Sequence, residues 1–389
     1  MKRKVLVIDF GMCHFHNMVE LAKEGHEVWV TNSAKNGEEC PRDYYESLGI
    51  TILDKETSER GSLLRKFPED NGIDTIINEH YDVRVPQYWK TDLDYIGLNT
   101  LSGHLESRKF WCRNEIEKLG VNVPKLLNEI TVPCAVKPKK ITDDFQSALL
   151  VVEQSHLNTM VNSIGDKNYY IEEYIGPNIE TNLDFVVSGG KYSISYVQST
   201  VGDDVEKYAV EGKQSWWVNG TSYHLLDKET RALTLEAGHK ILEWIASLGG
   251  SFMGHITGLV KDGKWYFCEV NARGEMSNST PTYVTGSQYL DAMLNGKPQI
   301  IGDARNTFSN RLVRAIPKEP DSIYPFHLHE KYGVRIPCGL DIIDGEYRSS
   351  KQWRHKVSDR RVGIVLMDEE IPEEFFQEIE ATSDWECLR

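Results

Sequence analysis

The chain has 389 residues, of which 40% are hydrophobic, and this length predicts two or three lobes because single cores seldom grow beyond about 250 to 300 residues. Its 44 Lys and Arg are outnumbered by 59 Asp and Glu, and the formal net charge of -15 excludes long-range attraction to nucleic acids or anionic membranes as the main role. No apolar run approaches the ~20 residues of a membrane span, and the opening Met-Lys-Arg-Lys leads directly into a strand. We therefore expect a cytoplasmic, multi-lobed enzyme that acts on small molecules.

The first hundred residues predict a parallel, doubly wound sheet. Residues 4 to 9 form an apolar strand, residues 17 to 24 have helical patterning, and a second strand covers residues 27 to 31. Strands at Thr75 to Asn78 and Tyr95 to Leu98 continue the sheet, which ends near residue 105.

The loop at residues 10 to 16 contains one glycine, where a dinucleotide fold requires Gly-x-Gly-x-x-Gly. A nicotinamide dehydrogenase is therefore disfavoured. His14 and His16 in this loop are candidates for contact with an acceptor substrate, and solvation of both side chains is the alternative.

Basic and acidic side chains recur at element ends in the middle of the chain. A helix predicted from Ser107 to Leu119 carries Lys109 in its first turn, and a short apolar strand ends at Lys137. A further strand ends in the carboxylates of Glu172 and Glu173.

Two glycines, Gly189 and Gly190, predict a hairpin turn. The polar stretch from 202 to 220 contains Trp216-Trp217 and is interpreted either as a substrate-facing lid or as a loop packed down by the two tryptophans. A helix follows from Lys228 to Leu248, with Gly249-Gly250 as its stop signal.

The run from Trp265 to Arg273 contains the most informative pair in the chain. Glu269 and Asn271 are two residues apart in a predicted strand, so their side chains point to the same face at roughly 7 Å spacing. Carboxylate and amide oxygens suit Mg2+, which usually binds one or two protein groups together with substrate phosphates. The pair predicts a site for a nucleoside triphosphate with Mg2+ or Mn2+.

The order of these features resembles the ATP-grasp superfamily, and among its families glycinamide ribonucleotide synthetase, the phosphoribosylamine-glycine ligase. The likeness extends through the whole chain in short motifs. These are Lys4-Val-Leu-Val-Ile8, Ser107-Arg-Lys109-Phe, Glu172-Glu173-Tyr-Ile, Gly258-Leu-Val-Lys-Asp-Gly263, Glu269-Val-Asn271-Ala-Arg273 and Arg361-Val-Gly-Ile-Val. The resemblance implies an α/β protein of ATP-grasp fold, with an N-terminal Rossmann-like pre-ATP-grasp domain and a small C-terminal lobe.

The implied domain boundaries are 1–105 for the pre-ATP-grasp domain, 106–295 for the ATP-grasp domain with a small lobe at about 125–198, and 296–389 for the C-terminal lobe. The resemblance also implies roles for particular residues. Lys109 and Lys137 would contact the α and β phosphates, and Arg273 would bind an acyl phosphate or the acid substrate. The adenine edge would be formed by Glu172, Glu173, Tyr174 and Ile175, and the ribose site by Glu180.

The implied activity is an ATP-dependent, ADP-forming ligation of a carboxylate, such as an amino acid, to an amine through an acyl phosphate. The likeness allows a homodimer. An ATP-grasp kinase or carboxylase is the alternative among enzymes, and a catalytically silent nucleotide-binding regulatory protein is the alternative outside them. The acid and the amine stay open, because Arg273-Gly-Glu-Met-Ser277 replaces the Arg-Phe-Gly-Asp-Pro-Glu of the synthetase family.

Overall fold

A computed structural model describes most of the strands and helices. The described residues are 2–8, 15–31, 42–54, 56–57, 61–78, 93–141, 148–151, 154, 168–176, 179–200, 227–273, 312–319, 322–338, 340–349, 362–365, 372–382 and 384–388. The predicted loop residue His14 and the Trp216-Trp217 pair lie outside them, as does the side chain of His16.

The N-terminal sheet has five parallel strands in the order β3-β2-β1-β4-β5. The strands are β1 Lys4–Ile8, β2 Glu27–Val30, β3 Ile50–Ile52, β4 Thr75–Asn78 and β5 Asp94–Gly97, and the helices are α1 Phe15–Lys23, α2 Arg42–Ser47 and α3 Gly61–Asn71. Val5 and Val7 belong to the cluster that contains residues of α1 and α2, whereas Leu6 and Ile8 belong to the cluster with α3 residues. Both faces of the strand are therefore buried, as expected for a parallel sheet.

Two consecutive helices follow this sheet, α4 His104–Ser107 and α5 Lys109–Lys118. The single helix predicted from Ser107 to Leu119 is wrong at its start, because Arg108 has φ -112° and ψ 66°, outside helical geometry. Lys109 is therefore the first residue of α5.

A small antiparallel sheet has the order β6-β9-β7-β8. Its strands are β6 Leu126–Leu127, β7 Cys134–Pro138, β8 Leu149–Val151 and β9 Tyr169–Glu173. Cys134, Val136 and Ile171 point into its apolar core. Lys137 lies on the opposite face because side chains alternate along a strand, and Glu172 lies on that same face in the adjacent strand, β9.

The central sheet is antiparallel in the order β11-β10-β12-β13, with β10 Ile179–Ser188, β11 Lys191–Thr200, β12 Phe252–Lys261 and β13 Lys264–Asn271. The predicted Gly189-Gly190 hairpin is confirmed, with positive φ at both residues. One face of this sheet packs its apolar side chains against helix α6, Lys228–Ser247, which begins at the N-cap Asp227.

The predicted small lobe extends to about residue 198, but β10 and β11 pair with β12 and not with the sheet of β6 to β9. The change from one sheet to the other falls between Glu173 and Ile179. The domain boundaries themselves stay a prediction.

The C-terminal part contains a four-stranded sheet of order β15-β18-β14-β19 and a hairpin of β16 and β17. Its elements are β14 Leu312–Pro317, α7 His327–Tyr332, β15 Arg335–Cys338, β16 Leu340–Ile343, β17 Glu346–Ser349, β18 Val362–Val365, α8 Glu373–Ala381 and β19 Trp385–Leu388. Trp385, Phe375 and Tyr324 are buried in its core. Within the ranges given above, no helix has the length and apolar character needed to cross a membrane.

Candidate nucleotide-binding site

The face of the central sheet opposite helix α6 carries buried polar side chains in two rows. In the first row His255 of β12 lies between Asp184 of β10 and Asn271 of β13 in the strand register. In the second row Thr257 lies between Asn182 and Glu269, and its hydroxyl donates to Asn182 Oδ1 at 2.7 Å. Burying polar side chains costs free energy unless they are hydrogen-bonded, and their concentration on one face makes this face the candidate site.

Glu269 and Asn271 both lie on this face, in the edge strand β13. The sequence predicts this arrangement, because residues two apart in a strand point to the same face. The amide of Asn271 donates from Nδ2 to Glu269 Oε1 at 3.0 Å and lies 2.8 Å from His255 Nε2. The second carboxylate oxygen of Glu269 forms an ion pair with Lys109 Nζ at the start of helix α5. The structure thus places Lys109, Glu269 and Asn271 in direct contact.

The charge of Glu269 is stabilised by its neighbours. Burial alone would raise the pKa of this carboxyl, but the Lys109 ammonium and hydrogen bonds from Lys109 and Asn271 hold the pKa far below its usual range. The Lys137 ammonium lowers the pKa of Glu269 further. The carboxylate is therefore ionised at neutral pH.

The donor chemistry of this edge fits Mg2+. Glu269 supplies carboxylate oxygens and remains 32% exposed, and Asn271 supplies an amide oxygen on the same face. In the described part of the chain no group of three or more His, Cys, Asp or Glu side chains is arranged for a metal ion. Two protein groups suit Mg2+ when phosphate oxygens complete its coordination.

Lys137 is anchored by two contacts beneath this edge. Its Nζ lies 2.8 Å from Glu172 Oε2 and donates to the backbone oxygen of Cys268 at 3.1 Å. Burial would lower the pKa of Lys137, but Cys268 and Glu172 outweigh it and raise the pKa well above its usual value, so the ammonium stays charged. Burial raises the pKa of the adjacent Cys268 thiol to about 11, with Lys137 opposing the shift.

The segment predicted to form the adenine edge continues from β9. Glu173 pairs with Lys125 through backbone and side chain, since Lys125 N donates to Glu173 Oε1 at 2.9 Å. Ile175 is buried, and the Tyr174 ring lies against Gly176. Glu180, in β10, contributes to raising the pKa of Cys268, which lies next to Glu269 in β13. The assignment of adenine and ribose contacts to these residues stays a prediction.

Arg273 lies two residues after the end of strand β13, and its side chain contacts helix α4. Its Nε donates to Glu106 Oε1 at 2.9 Å, and Glu106 is buried. The other Glu106 oxygen has no hydrogen-bond partner within the described residues. This contact holds Arg273 beside the strand end, while its predicted role toward an acyl phosphate stays a prediction.

Two charged residues at the site were not predicted as site residues. Glu106 lies three residues before Lys109 and was assigned no role from the sequence. Arg113 was not singled out either. Arg113 is buried and donates to Glu172 Oε1 at 2.8 Å. The available signal was its position four residues after Lys109, on the same side of one helix.

Comparison with known proteins shows which solved structures this fold resembles. No family model and no curated protein sequence matches the chain. The L-amino acid ligase from Bacillus licheniformis is similar in structure, with a TM-score of 0.60, 15% identity and coverage of 100% of this chain and 99% of the ligase.

Two further enzymes are also similar in structure. The biotin carboxylase domain of Hydrogenobacter thermophilus 2-oxoglutarate carboxylase, solved as a dimer with MgADP, ADP and bicarbonate, has a TM-score of 0.66 and 13% identity, and covers 100% of this chain and 91% of that domain. N5-carboxyaminoimidazole ribonucleotide synthetase from Thermus thermophilus has a TM-score of 0.62 and 14% identity, and covers 97% of this chain and 98% of the synthetase. These similarities show that the chain has the mixed α/β ATP-grasp fold over nearly its whole length.

Proposed function

We propose that the protein is an ATP-dependent, ADP-forming ligase that joins a carboxylic acid, such as an amino acid, to an amine. The observation that carries this proposal is the convergence of Lys109, Lys137, Glu269 and Asn271 on one edge of the central sheet. The resemblance to phosphoribosylamine-glycine ligase and the structural likeness to an L-amino acid ligase support the same reaction type.

The charges of the site suit a triphosphate. Lys109 and Lys137 present compact ammonium groups, which stabilise phosphate oxygens as point charges. Glu269 and Asn271 would hold Mg2+, which neutralises negative charge on the transferring phosphate. The segment from Glu172 to Ile175 would contact adenine, and Glu180 would contact ribose.

The reaction requires activation of a carboxylate, because its oxygen is a poor leaving group at neutral pH. Transfer of the γ-phosphoryl group to that oxygen gives an acyl phosphate, which the amine then attacks with release of phosphate. Arg273 is suited to bind the acyl phosphate through its guanidinium, since the Nε contact to Glu106 leaves the orientation of the side chain defined. Positioning and charge stabilisation supply most of the rate enhancement in such transfers.

An isotope experiment tests the reaction. A phosphate-release screen over amino acids crossed with amines, including phosphorylated sugars and nucleotides, first identifies an active pair. With the acid labelled by 18O in its carboxylate, we expect one label atom in the released phosphate and ADP as the nucleotide product. Recovery of AMP and pyrophosphate, or of unlabelled phosphate, contradicts the proposal.

Carboxylation is the second candidate, because one of the similar structures is the biotin carboxylase domain of a 2-oxoglutarate carboxylase with bound bicarbonate. Bicarbonate-stimulated ADP formation without an added amino acid would favour it, and ADP formation with only a phosphate acceptor would favour a kinase. A silent regulatory protein would bind ATP without turnover in any arm of the screen. We further propose a cytoplasmic location, small-molecule substrates and, by analogy with the dimeric carboxylase domain, a homodimer.

A further inference from the structure

Arg113 forms a buried junction between helix α5 and the small sheet. Its Nε donates to Glu172 Oε1 at 2.8 Å, and its Nη2 donates to the backbone oxygen of Pro124 at 2.7 Å. Its Nη1 donates to Glu117 Oε2 at 2.9 Å. The same Nη1 also donates to Asn114 Oδ1 at 3.3 Å. The guanidinium thus has four partners, two of which lie outside its own helix.

Glu172 is shared by two cations. Arg113 binds one of its carboxylate oxygens and Lys137 lies 2.8 Å from the other. The side chains of Arg113, Glu172 and Lys137 are only 3%, 2% and 7% exposed, respectively. We call these three residues the buried charge cluster.

The buried charge cluster has a net charge of +1, from two cations and one anion. Glu117 offsets little of this charge, because its side chain is 56% exposed and water screens exposed charges. Without Arg113, Glu172 and Lys137 would form a neutral buried pair. The positive charge that Lys137 presents to its surroundings therefore depends on Arg113.

We propose that Arg113 is a positioning residue for nucleotide binding: by neutralising Glu172, it leaves the charge of Lys137 for the phosphates and fixes the ammonium between Glu172 and the Cys268 backbone oxygen. The inference rests on the proposed function, since it requires a polyphosphate ligand at Lys137. The attraction between the Lys137 ammonium and phosphate oxygens is strong where both groups are partly removed from water.

The experiment measures how binding of the phosphates follows the charge of the cluster. Dissociation constants for ATP and for adenosine are determined by calorimetry with the full chain, and their ratio isolates the phosphate contribution from adenine contacts. The variants are Arg113→Met, Glu172→Gln and the double variant R113M/E172Q, with cluster charges of 0, +2 and +1. Arg113→Lys keeps the charge at +1 and controls for loss of the guanidinium.

We expect R113M to reduce the ratio of adenosine to ATP dissociation constants by at least about tenfold, because it removes one buried unit charge near the phosphates. The double variant should restore this ratio to within about threefold of the parent protein, and E172Q alone should exceed the parent. Arg113→Lys should resemble the parent. Thermal unfolding checks that each variant is folded.

Equal losses of ATP and adenosine affinity in R113M, or a double variant no better than R113M, would show that Arg113 has a structural role only. Should R113M fail to fold, E172Q and the double variant still carry the test, because the inference requires a higher ratio in E172Q. A parent protein that binds no ATP would overturn the proposed function itself.

Discussion

Lys109 and Glu269 form an ion pair that joins the first residue of helix α5 to strand β13. These residues are predicted to contact different parts of the same ligand, the phosphates and the metal ion. Each charge is compensated by the other, so a change at either residue leaves its partner uncompensated.

Replacing Glu269 with Gln or Asn271 with Ala should lower turnover at least ~100-fold, because each change removes an oxygen ligand from the ion that stabilises the transferring phosphate. ADP formation is measured at increasing Mg2+ concentration. Glu236→Gln, at an exposed pair with Lys240 on helix α6, is the matched control and should be unchanged. Full activity of either folded site variant at saturating Mg2+ would rule out the metal assignment.

Replacing Lys109 or Lys137 with Ala should weaken ATP binding at least about tenfold, since phosphate charge is left uncompensated in a partly desolvated cleft. Lys109→Ala also leaves the Glu269 carboxylate without its cation. Calorimetric titration with ATP checks the effect, and Lys240→Ala serves as an exposed control. Parent-like affinity in both site variants would mean that neither lysine contacts the phosphates.

The close approach of Gly258 to Trp265 predicts a stability effect. A Cβ at Gly258 would lie 1.9 Å from two ring atoms of Trp265, whose Nε1 donates to Thr181 Oγ1 at 2.9 Å. Gly258→Ala should therefore destabilise the protein by about 1 to 3 kcal/mol, the usual cost of overpacking. Chemical denaturation measures the change. The double variant Gly258→Ala/Trp265→Phe should lose less stability than the sum of the losses in the two single variants. Strict additivity of the two losses would contradict the proposed clash.

His329 predicts a pH dependence of stability in the C-terminal sheet region. It lies 2.8 Å from the Tyr324 hydroxyl and 2.9 Å from the Val334 backbone oxygen, and burial lowers the pKa of His329 to about 3. The unfolded state binds a proton at His329 with a pKa of about 6.5, whereas the folded state resists protonation at that pH. The contribution of neutral His329 to the free energy of unfolding is therefore fully present above pH ~6.5 and decreases as the pH drops toward 3.

His329→Gln should flatten this dependence, since the Gln amide can donate to Val334 and accept from Tyr324 without titrating. The removed slope should be at most about 1.4 kcal/mol per pH unit, the value for one proton. Denaturation midpoints between pH 7 and pH 4 measure it, with His239→Gln at an exposed position of helix α6 as control. An identical slope in parent and His329→Gln would contradict the prediction.

Local patterns predicted the elements well where a sequence signal marked their ends. The helix predicted from Lys228 to Leu248 is confirmed as Lys228–Ser247, because Asp227 caps its start and Gly249-Gly250 follows its end. The pair of Glu269 and Asn271 was found in the same way, from the two-residue period of a strand.

Contacts between distant parts of the chain were not predicted. Arg113 binds a carboxylate 59 residues away, and Arg273 binds Glu106 across 167 residues. In the sequence, Arg113 has the surroundings of a solvent-exposed helix position, since Asn114 and Glu115 follow it. In the folded chain this position is buried, with Glu172 and the Pro124 backbone oxygen as partners.

Helix α5 carries Lys109 and Arg113 four positions apart, slightly more than one turn. One inserted residue between them would rotate Arg113 by about 100° and shift it by about 1.5 Å along the axis, away from Glu172. The number of residues between Lys109 and Arg113 is therefore as restricted as the types of the two residues. An insertion or deletion of one residue between them would therefore separate the contact with Glu269 from the contact with Glu172.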